Sequence, residues 1–543
     1  MLSTLPSSAW DRTKAGQLLQ RAGFGGTPDE IDRLAGMEPG EAADFLLGPD
    51  KLGPLPPPAN VLKPGLTEQQ LFLRKKLALL PTKEREEKKR ELFRAVRAEQ
   101  DRRFTEIRGW WLDRMAQPSL AAREKLVLFL HGHFATSAEK VRNPVMLFRQ
   151  NQLFREKAYG RWHELVLAVA KDPAMLLYLD GAKNRAGAPN ENFARELFEL
   201  FTLGVGNYTE QDIQESARAF AGWTVDWPRK PGEPEDQENT LPVFMDRKDW
   251  HDTKTKKIFG QRGNFDGEDV VRIALSQKAA PVWITRKLWR FYAGWFPEGN
   301  LQTDLADEWA RLDGELRPFL RAMWTHPAFY DPQHAEDRVK SPTEWLVGLC
   351  RQLDCPLPAA ALASNMLAEL GQKLLEPPNV KGWDGGITWI NTATLAKRYE
   401  YTSWIVSGTR GMQRLAGMDL GRLAIESGIR EIPAPLIMDP ASPAAATMME
   451  APDKGAKFQA AKKARTLLDL SPAPVAKLVD PGDRRDPDKL LSSLTDRFLF
   501  GQTMPEEVRK KLFDASGTSV PYTDAVIRKL VLGLTQSPFY QVT

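Results

Sequence analysis

The sequence predicts an all-α protein, organised as a single large multi-helix domain with long irregular loops and little or no β-structure. Apolar residues recur at helical spacing through most of the 543 residues, and the alternation typical of strands is scarce. Helix start and stop signals flank many of these periodic segments. No segment repeats at a fixed period, so a solenoid is not expected.

The N-terminal region predicts two short amphipathic helices followed by an extended connector. The first helix lies within residues 11–25 and ends at glycines, while the second begins after Thr27 with Pro28 at its first position. Residues 53–65 read GPLPPPANVLKPG. Because proline fixes φ and removes a hydrogen-bond donor, this stretch is expected to be rigid and extended.

The next segments predict a solvated helix and then a buried one. Thr67 and Gln70 resemble a capping box before the apolar segment QLFLRKKLALL. Residues 83–115 alternate in charge sign and predict one long helix with a solvated outer face. Its apolar stripe contains Leu92, Val96, Phe104 and Ile107. Residues 120–134 are much more apolar and predict a buried helix.

The remaining elements define the expected domain organisation. Further helices are predicted at 144–158, 162–172, 190–203 and 209–221, and helical periodicity continues through residue 353. Residues 228–240 have the composition of a surface loop. We expect a main helical domain at 1–435, a flexible linker or insertion at 436–485, and C-terminal helices at 486–543 that pack back on the main domain. The linker prediction follows from the low-complexity segment at 438–457.

Composition excludes several classes of partner and location. The 75 basic and 71 acidic residues give a formal charge of +4, which offers no electrostatic reason to expect a nucleic-acid partner. No run of about 18 apolar residues predicts a membrane span. The sequence as written has no export signal, so a cytoplasmic location is expected, or an exported one if the N-terminus was trimmed. Cys350 and Cys355 lack the spacing of a zinc site and are interpreted as ordinary thiols.

Common catalytic signatures are missing. The sequence has no GxxxxGK phosphate loop, no GxSxG elbow and no HExxH motif. GVGNYT breaks the GxGxxG pattern after its second glycine. Nucleotide-binding and common hydrolase classes are therefore not favoured.

The stretch ENFARELFELFTLGVGNYTEQDIQESARAFAGW concentrates polar groups on two adjacent helices. Helical spacing places Asn192, Arg195, Glu196 and Glu199 within one arc of the first helix. The second helix opens with a capping box, and a short glycine-containing turn joins the two. Either these groups converge on a site, or they are the solvated faces of two ordinary helices.

A histidine pair supplies the main candidate for metal binding. His131 and His133 form the motif HGHF near the end of the apolar helix. With Glu196 and Glu199 they predict a divalent metal site, because imidazole and carboxylate are common metal ligands. The alternative is a helix C-terminus at which a histidine interacts with the last carbonyls and Gly132 breaks the helix.

Two loops add further candidates. His251 and Asp252 form a possible acid/base pair, with a purely structural role as the alternative. Residues 376–398 combine paired prolines, glycines and tryptophans in a stiff loop that is expected to line a site, unless its tryptophans only fill the core. The residues predicted to contact a substrate are Asn192, Trp223, Lys381, Trp383 and Asn391.

These blocks, taken in order, resemble the bacterial domain of unknown function (DUF) 1800 family over nearly the whole chain. The matching blocks are LLQRAGFGGTPDEIDRLAG, LFLHGHFATS, NENFARELFELFTLGVGNYTEQDIQESARAFAGW, HDTKTKKIFG, VKSPTEW, PPNVKGWDGGITWINTATL and LTQSPFYQ. The resemblance implies a largely helical fold, frequent export signals, and gene neighbours of the domain of unknown function 1501 family, which resemble alkaline phosphatases or sulfatases. It implies no activity. Here an export signal is missing, and glycine separates the two histidines where many relatives have a bulkier residue.

Two functional hypotheses follow. The first is a metal-assisted enzyme, with hydrolysis expected first and oxidative chemistry at an iron site second. Its predicted catalytic residues are His131, His133, Arg195, Glu196, His251 and Asp252. The second is a non-catalytic binding or assembly protein that docks on a phosphatase- or sulfatase-like partner of the domain of unknown function 1501 family.

Overall fold

Helices dominate the computed structural model, which describes residues 1–50, 56–62, 76–227, 242–408, 470–500, 505–516 and 520–543. Within these ranges the only sheets are two small antiparallel pairs. Strand β1 (Trp223–Asp226) pairs with β2 (Val243–Asp246), and β3 (Lys256–Ile258) pairs with β4 (Gln261–Gly263). The predicted all-α class is confirmed.

The helices that the structure describes are numbered here in chain order. Those before the first strand are α1 (Arg12–Ala22), α2 (Pro28–Ala35), α3 (Pro39–Leu47), α4 (Thr82–Ala116), α5 (Ala121–His133), α6 (Ala138–Val141), α7 (Pro144–Lys157), α8 (Trp162–Ala170), α9 (Pro173–Tyr178), α10 (Asn192–Glu196) and α11 (Glu210–Ala219). Those after the last strand are α12 (Gly267–Leu275), α13 (Ala279–Ala293), α14 (Gly299–Arg311), α15 (Leu316–Trp324), α16 (Pro342–Gln352), α17 (Ala360–Glu369), α18 (Thr392–Ser407), α19 (Pro487–Leu499), α20 (Glu506–Ser516), α21 (Asp524–Thr535) and α22 (Pro538–Gln541).

Sequence signals account for the start of the chain. Asp11 accepts a hydrogen bond from the Lys14 backbone N–H at 2.8 Å and so caps α1. Thr27 and Glu30 form a capping box at α2, with Pro28 in its first turn. The proline-rich connector is described only at residues 56–62, and the predicted capping box at Thr67 lies outside the described residues.

The predicted long helix is α4, and the predicted buried helix is α5. The apolar stripe of α4 is buried as expected, and Trp111 near its end is fully buried. Every residue of α5 except Gly132 is buried, because α1, α3, α4 and α7 all pack on it. Even its charged residues are internal: Glu124 accepts from Arg155 at 2.6 and 2.7 Å and from the Trp111 indole at 2.9 Å. Helix α5 therefore lies at the centre of the core.

The predicted helix at 190–203 changes character partway. After α10 the chain forms a π-helical segment, Leu197–Thr202, in which hydrogen bonds span five residues. The Leu203 N–H, for example, donates to the Phe198 carbonyl at 2.9 Å. The carbonyls of Leu200 and Phe201 instead accept from side chains of other elements. The segment thus presents backbone acceptors to its neighbours.

The C-terminal helices contact the preceding ones through specific hydrogen bonds. Gln536, just after α21, donates to the Tyr399 carbonyl of α18 at 2.9 Å, and the Tyr540 hydroxyl of α22 donates to Gln352 at 2.7 Å. Residues 470–485 contain two short 3-10 helices, and Val475 is buried there. The predicted surface loop at 228–240 and the low-complexity segment at 438–457 lie outside the described residues.

The length and apolarity of a helix decide whether it can cross a membrane. Within the ranges that the structure covers, none of them combines the length and the apolar character needed to cross a bilayer.

Candidate functional site

A cavity of about 510 Å³ lies where the C-terminal end of α5 meets α13, the loop at 379–389 and the segment at 338–344. Aromatic side chains form part of its walls. The aromatic side chains that line it are Phe129, Trp283, Phe291, Phe296, Trp383 and Trp389. A volume of this size is typical of small-molecule sites.

The loop at 379–389 is held against the last turn of α5 by a close backbone approach. Gly382 has φ +81°, and a Cβ there would lie 2.1 Å from the Gly132 carbonyl oxygen. Only glycine tolerates both this conformation and this contact. Arg290 of α13 donates to the Asp384 carbonyl at 3.3 Å and so fixes the other side of the loop.

Five cations line the cavity, and four of them form no salt bridge with any described residue. The four are Arg286, Lys287, Arg290 and Lys381. The two arginines, one helical turn apart on α13, lie over the Phe296 ring with their guanidinium carbons 4.5 and 4.4 Å from its centroid. The fifth cation, Arg338, forms an ion pair with Glu344.

Positive charge in the cavity therefore exceeds negative charge. Glu344 and Asp384 are the acidic side chains among the lining residues. Glu344 is already shared between Arg338 and the buried Lys125 of α5. Together they lower the pKa of Glu344 to about 2 against the opposing effect of burial, so this carboxylate stays ionised. Asp384 is the remaining acidic side chain among the lining residues, and Glu196, outside the lining, also interacts with Lys381.

Lys287 is held at the cavity wall by a backbone carbonyl and an aromatic ring. Its Nζ lies 3.4 Å from the Leu200 carbonyl oxygen of the π-helical segment and 5.2 Å from the centroid of Trp283. Burial, and then the nearby charge of Arg290, lowers the pKa of Lys287 to about 8. At pH 7 about a tenth of this amine is neutral.

His133 is the lining residue with a free ring nitrogen. Its Nε2 lies 3.1 Å from the Phe201 carbonyl, which can only accept, so the ring donates from Nε2. Nδ1 is buried without a hydrogen-bond partner among the described residues. Burial, and then the charge of Lys287, holds the pKa of His133 well below its usual value. The imidazole is thus neutral, with an unused lone pair at Nδ1.

His131 has a different role. Its Nε2 accepts from the Leu375 backbone N–H at 3.1 Å, so the neutral ring carries its proton on Nδ1. Burial lowers the pKa of His131 to about 3. Its ring packs between Trp111 and Trp383 at centroid distances of 5.4 and 5.5 Å. With one nitrogen accepting and the other protonated, His131 has no lone pair left for a metal ion.

The predicted metal ligands do not converge. Glu199 accepts from the Tyr208 hydroxyl at 2.9 Å. Glu196 is partly buried, and burial, followed by the charge of Glu199, raises its pKa, while Lys381 acts in the opposite direction. In the part of the chain that the structure describes, no group of three or more His, Cys, Asp or Glu side chains is arranged to hold a metal ion. The set His131, His133, Glu196 and Glu199 is therefore not one ligand set, and metal binding stays a prediction.

Four other predicted residues have structural contacts away from the cavity lining. Arg195 forms a two-pronged ion pair with Glu210, both bonds being 2.7 Å. Asn192 donates to the Leu179 carbonyl at 3.0 Å. Trp223 is buried against aromatic neighbours, and Asn391 caps α18. None of the four lines the cavity, so a catalytic role for Arg195 and substrate contacts for the other three stay predictions.

The predicted pair of His251 and Asp252 also needs correction. Asp246, at the end of β2, is the carboxylate that contacts the His251 ring. Asp252 instead accepts from Arg218 at 2.8 and 3.1 Å. Neither residue lines the cavity. A 3-10 turn, Lys248–Trp250, lies between Asp246 and His251, so the carboxylate next to the histidine in space is not the one next to it in sequence.

Of the predicted site residues, His133, Lys381 and Trp383 line the cavity. The cations of α13 were missed, although a signal was present. Residues 279–295 read AAPVWITRKLWRFYAGW, an aromatic helix with three cations and no acidic residue. Such a helix cannot neutralise its own charge, so its cations require a partner from elsewhere.

The similarity of this chain to known proteins extends over nearly its whole length and is not confined to the cavity. No curated protein matches the chain, and no solved structure matches it. A family model described as "Protein of unknown function (DUF1800)" matches residues 17–542. The expected resemblance is confirmed, and the chain belongs to the DUF1800 family.

Proposed function

We propose that this protein binds an anionic small molecule with an aromatic or apolar part in the cavity beside α13. The observation that carries the proposal is the set of four cations that line an aromatic cavity without a salt bridge to the described residues. Arg286, Arg290 and Lys381 are exposed at the mouth of this site, while Lys287 is partly buried. Cations gathered at one site repel one another. A carboxylate or phosphate group relieves this repulsion.

The cavity also provides separate places for the two parts of such a ligand. Arg286 and Arg290 can each donate paired N–H groups to a carboxylate or phosphate, the strongest kind of charge-assisted hydrogen bond. The Trp283 and Trp383 rings offer apolar surface to the remainder of the molecule. The proposal therefore commits to an anionic head group and an apolar body.

The hypothesis of a metal-assisted hydrolase, with iron-dependent oxidation as its second form, relied on histidines and carboxylates. Since His131 is engaged by Leu375 and Glu199 by Tyr208, the reactive groups offered by the cavity are His133 and Lys287. A catalytic role for this site would use these two side chains. A divalent metal cofactor remains a prediction without a ligand set among the described residues.

The alternative function is docking on a phosphatase- or sulfatase-like partner of the domain of unknown function 1501 family. It derives from the family resemblance. No contact within the described residues favours it over ligand binding, so it remains a prediction.

Titration calorimetry tests the binding proposal. Phenyl phosphate, which combines a dianion with an aromatic ring, is expected to bind saturably at one site, and benzyl alcohol, which lacks the charge, is not. The double variant Arg286→Gln, Arg290→Gln should weaken phenyl phosphate binding at least about tenfold, or about 1.4 kcal/mol.

A matched control separates the cavity from general surface charge. Arg262 is exposed on β4 and does not line the cavity. Arg262→Gln should leave the affinity unchanged. Equal affinity in the double variant and the wild type, or no saturable binding at all, would refute the proposal.

A further inference from the structure

We propose that Lys287 is a nucleophilic amine that forms an imine with the carbonyl carbon of a 2-oxo acid bound in the cavity. The inference deepens the proposed anion-binding function and depends on it. It assigns a substrate class and a reacting atom to the same site.

The amine of Lys287 is held at the wall of the cavity. Lys287 lines the cavity, and its Nζ has the Leu200 carbonyl, at 3.4 Å, as its hydrogen-bond acceptor. The Trp283 indole donates to the same carbonyl at 3.0 Å, so the acceptor is shared and fixed in place. No salt bridge between Lys287 and a described carboxylate holds the amine in its charged form. A lysine kept for structural charge pairing would have such a partner.

The electrostatic surroundings of Lys287 favour the neutral form of its amine. A lysine becomes a nucleophile when it is desolvated or placed beside another cation. Lys287 meets both conditions, and burial and the charge of Arg290 lower its pKa to about 8. The charged or titratable groups that share the cavity wall with it are Arg286, Arg290, His133, Lys381, Asp384, Arg338 and Glu344.

The side chains around Lys287 indicate the class of substrate. A carboxylate adjacent to the reacting carbonyl would be bound by Arg286 and Arg290, one turn apart on the helix that also carries Lys287. The aromatic walls would contact the substituent on the other side of the carbonyl. A 2-oxo acid with an aromatic or branched apolar side chain has these three parts in this order.

The reaction balances without any further reagent. The nitrogen lone pair attacks the carbonyl carbon, a C–N bond forms, and the carbonyl π electrons move to oxygen. A proton passes from the nitrogen to that oxygen, directly or through a water molecule. The resulting hydroxyl group takes the second proton of the nitrogen as the C–O bond breaks, water leaves, and the nitrogen lone pair completes the C=N bond of the imine.

Reductive trapping tests this proposal on the full chain. The protein is incubated at pH 7 with phenylpyruvate and sodium cyanoborohydride, and peptide mapping by mass spectrometry locates the reduced adduct. An amine with a pKa of about 8 is neutral roughly two orders of magnitude more often than a lysine of ordinary pKa. We expect labelling of Lys287 to exceed labelling of the exposed Lys278, at the start of the same helix, at least about tenfold.

Control ligands and variants test whether the labelling of Lys287 is specific. Phenylacetone, which lacks the carboxylate, should label Lys287 far more slowly, and phenyl phosphate should protect it. Lys287→Arg should abolish the specific adduct, whereas Lys278→Arg should retain it.

Binding of phenyl phosphate by the wild type without preferential labelling of Lys287 would overturn the imine proposal and leave the binding proposal intact. Absence of both binding and labelling would overturn both.

Discussion

At the scale of single residues, two histidines of one helical turn have opposite hydrogen-bonding roles. His131 accepts from the Leu375 backbone N–H, while His133 donates to the Phe201 carbonyl and keeps its other nitrogen free. The partners lie far away in sequence, so the motif HGHF could indicate the location of the site but not the tautomer of either ring. The tautomer decides which histidine can take part in chemistry.

His131→Phe should therefore act on stability. It leaves the Leu375 N–H without an acceptor, at a cost of about 1–3 kcal/mol in the free energy of unfolding at pH 7. The substitution should also flatten the acid dependence of stability. With a folded pKa of about 3 and an ordinary value of 6.5, His131 binds its proton more readily in the unfolded chain between these pH values. Wild-type stability thus falls as pH drops through this window.

Chemical unfolding at pH 7 and at pH 4.5 measures both effects. The variant should be less stable than the wild type at pH 7, and the difference should shrink at pH 4.5. A constant difference, or no difference at either pH, would contradict the roles assigned to His131.

At the scale of elements, the site depends on backbone features that helical periodicity does not report. The segment 190–203 was predicted as a plain helix, but it becomes π-helical at Leu197–Thr202. Its carbonyls then accept from Trp283, Lys287 and His133. The choice between hydrogen bonds spanning four and five residues depends on these tertiary donors, so it is not encoded in the local pattern. Gly132, interpreted as a possible helix breaker, instead lies within α5.

The contact between the loop at 379–389 and α5 gives a matched pair of substitutions. Gly382→Ala forces a Cβ against the Gly132 carbonyl and strains a positive φ, so the loop must move and phenyl phosphate binding should weaken. At Gly132 a Cβ would meet the Trp383 ring at 3.9 Å, an ordinary contact. Gly132→Ala should preserve binding and stabilise α5 by up to about 1 kcal/mol.

Calorimetric affinity and thermal unfolding of both variants measure these effects. If Gly382→Ala bound phenyl phosphate as tightly as Gly132→Ala, the loop would not be the rigid wall that the contact with α5 implies.

At the scale of the whole molecule, the class of fold was predictable and the site was only partly so. Helical periodicity and strong apolarity identified the long helix α4 and the buried helix α5 correctly. The cavity, however, combines cations from α13 with groups from α5, the loop at 379–389 and Arg338. Sequence reasoning found His133, Lys381 and Trp383 because their motifs are locally unusual. It missed Arg286, Lys287 and Arg290: the lack of acidic residues on their helix was readable in the sequence, but the absence of acidic partners from neighbouring elements was not.

A crystal structure of the protein grown with 4-bromophenyl phosphate tests the central claim most directly, because the anomalous signal of bromine locates the ligand independently. We predict one bromine site among the aromatic walls of the cavity, with the phosphate in contact with Arg286 and Arg290. Bromine sites confined to other surfaces at saturating ligand, with the cavity unoccupied, would contradict the account.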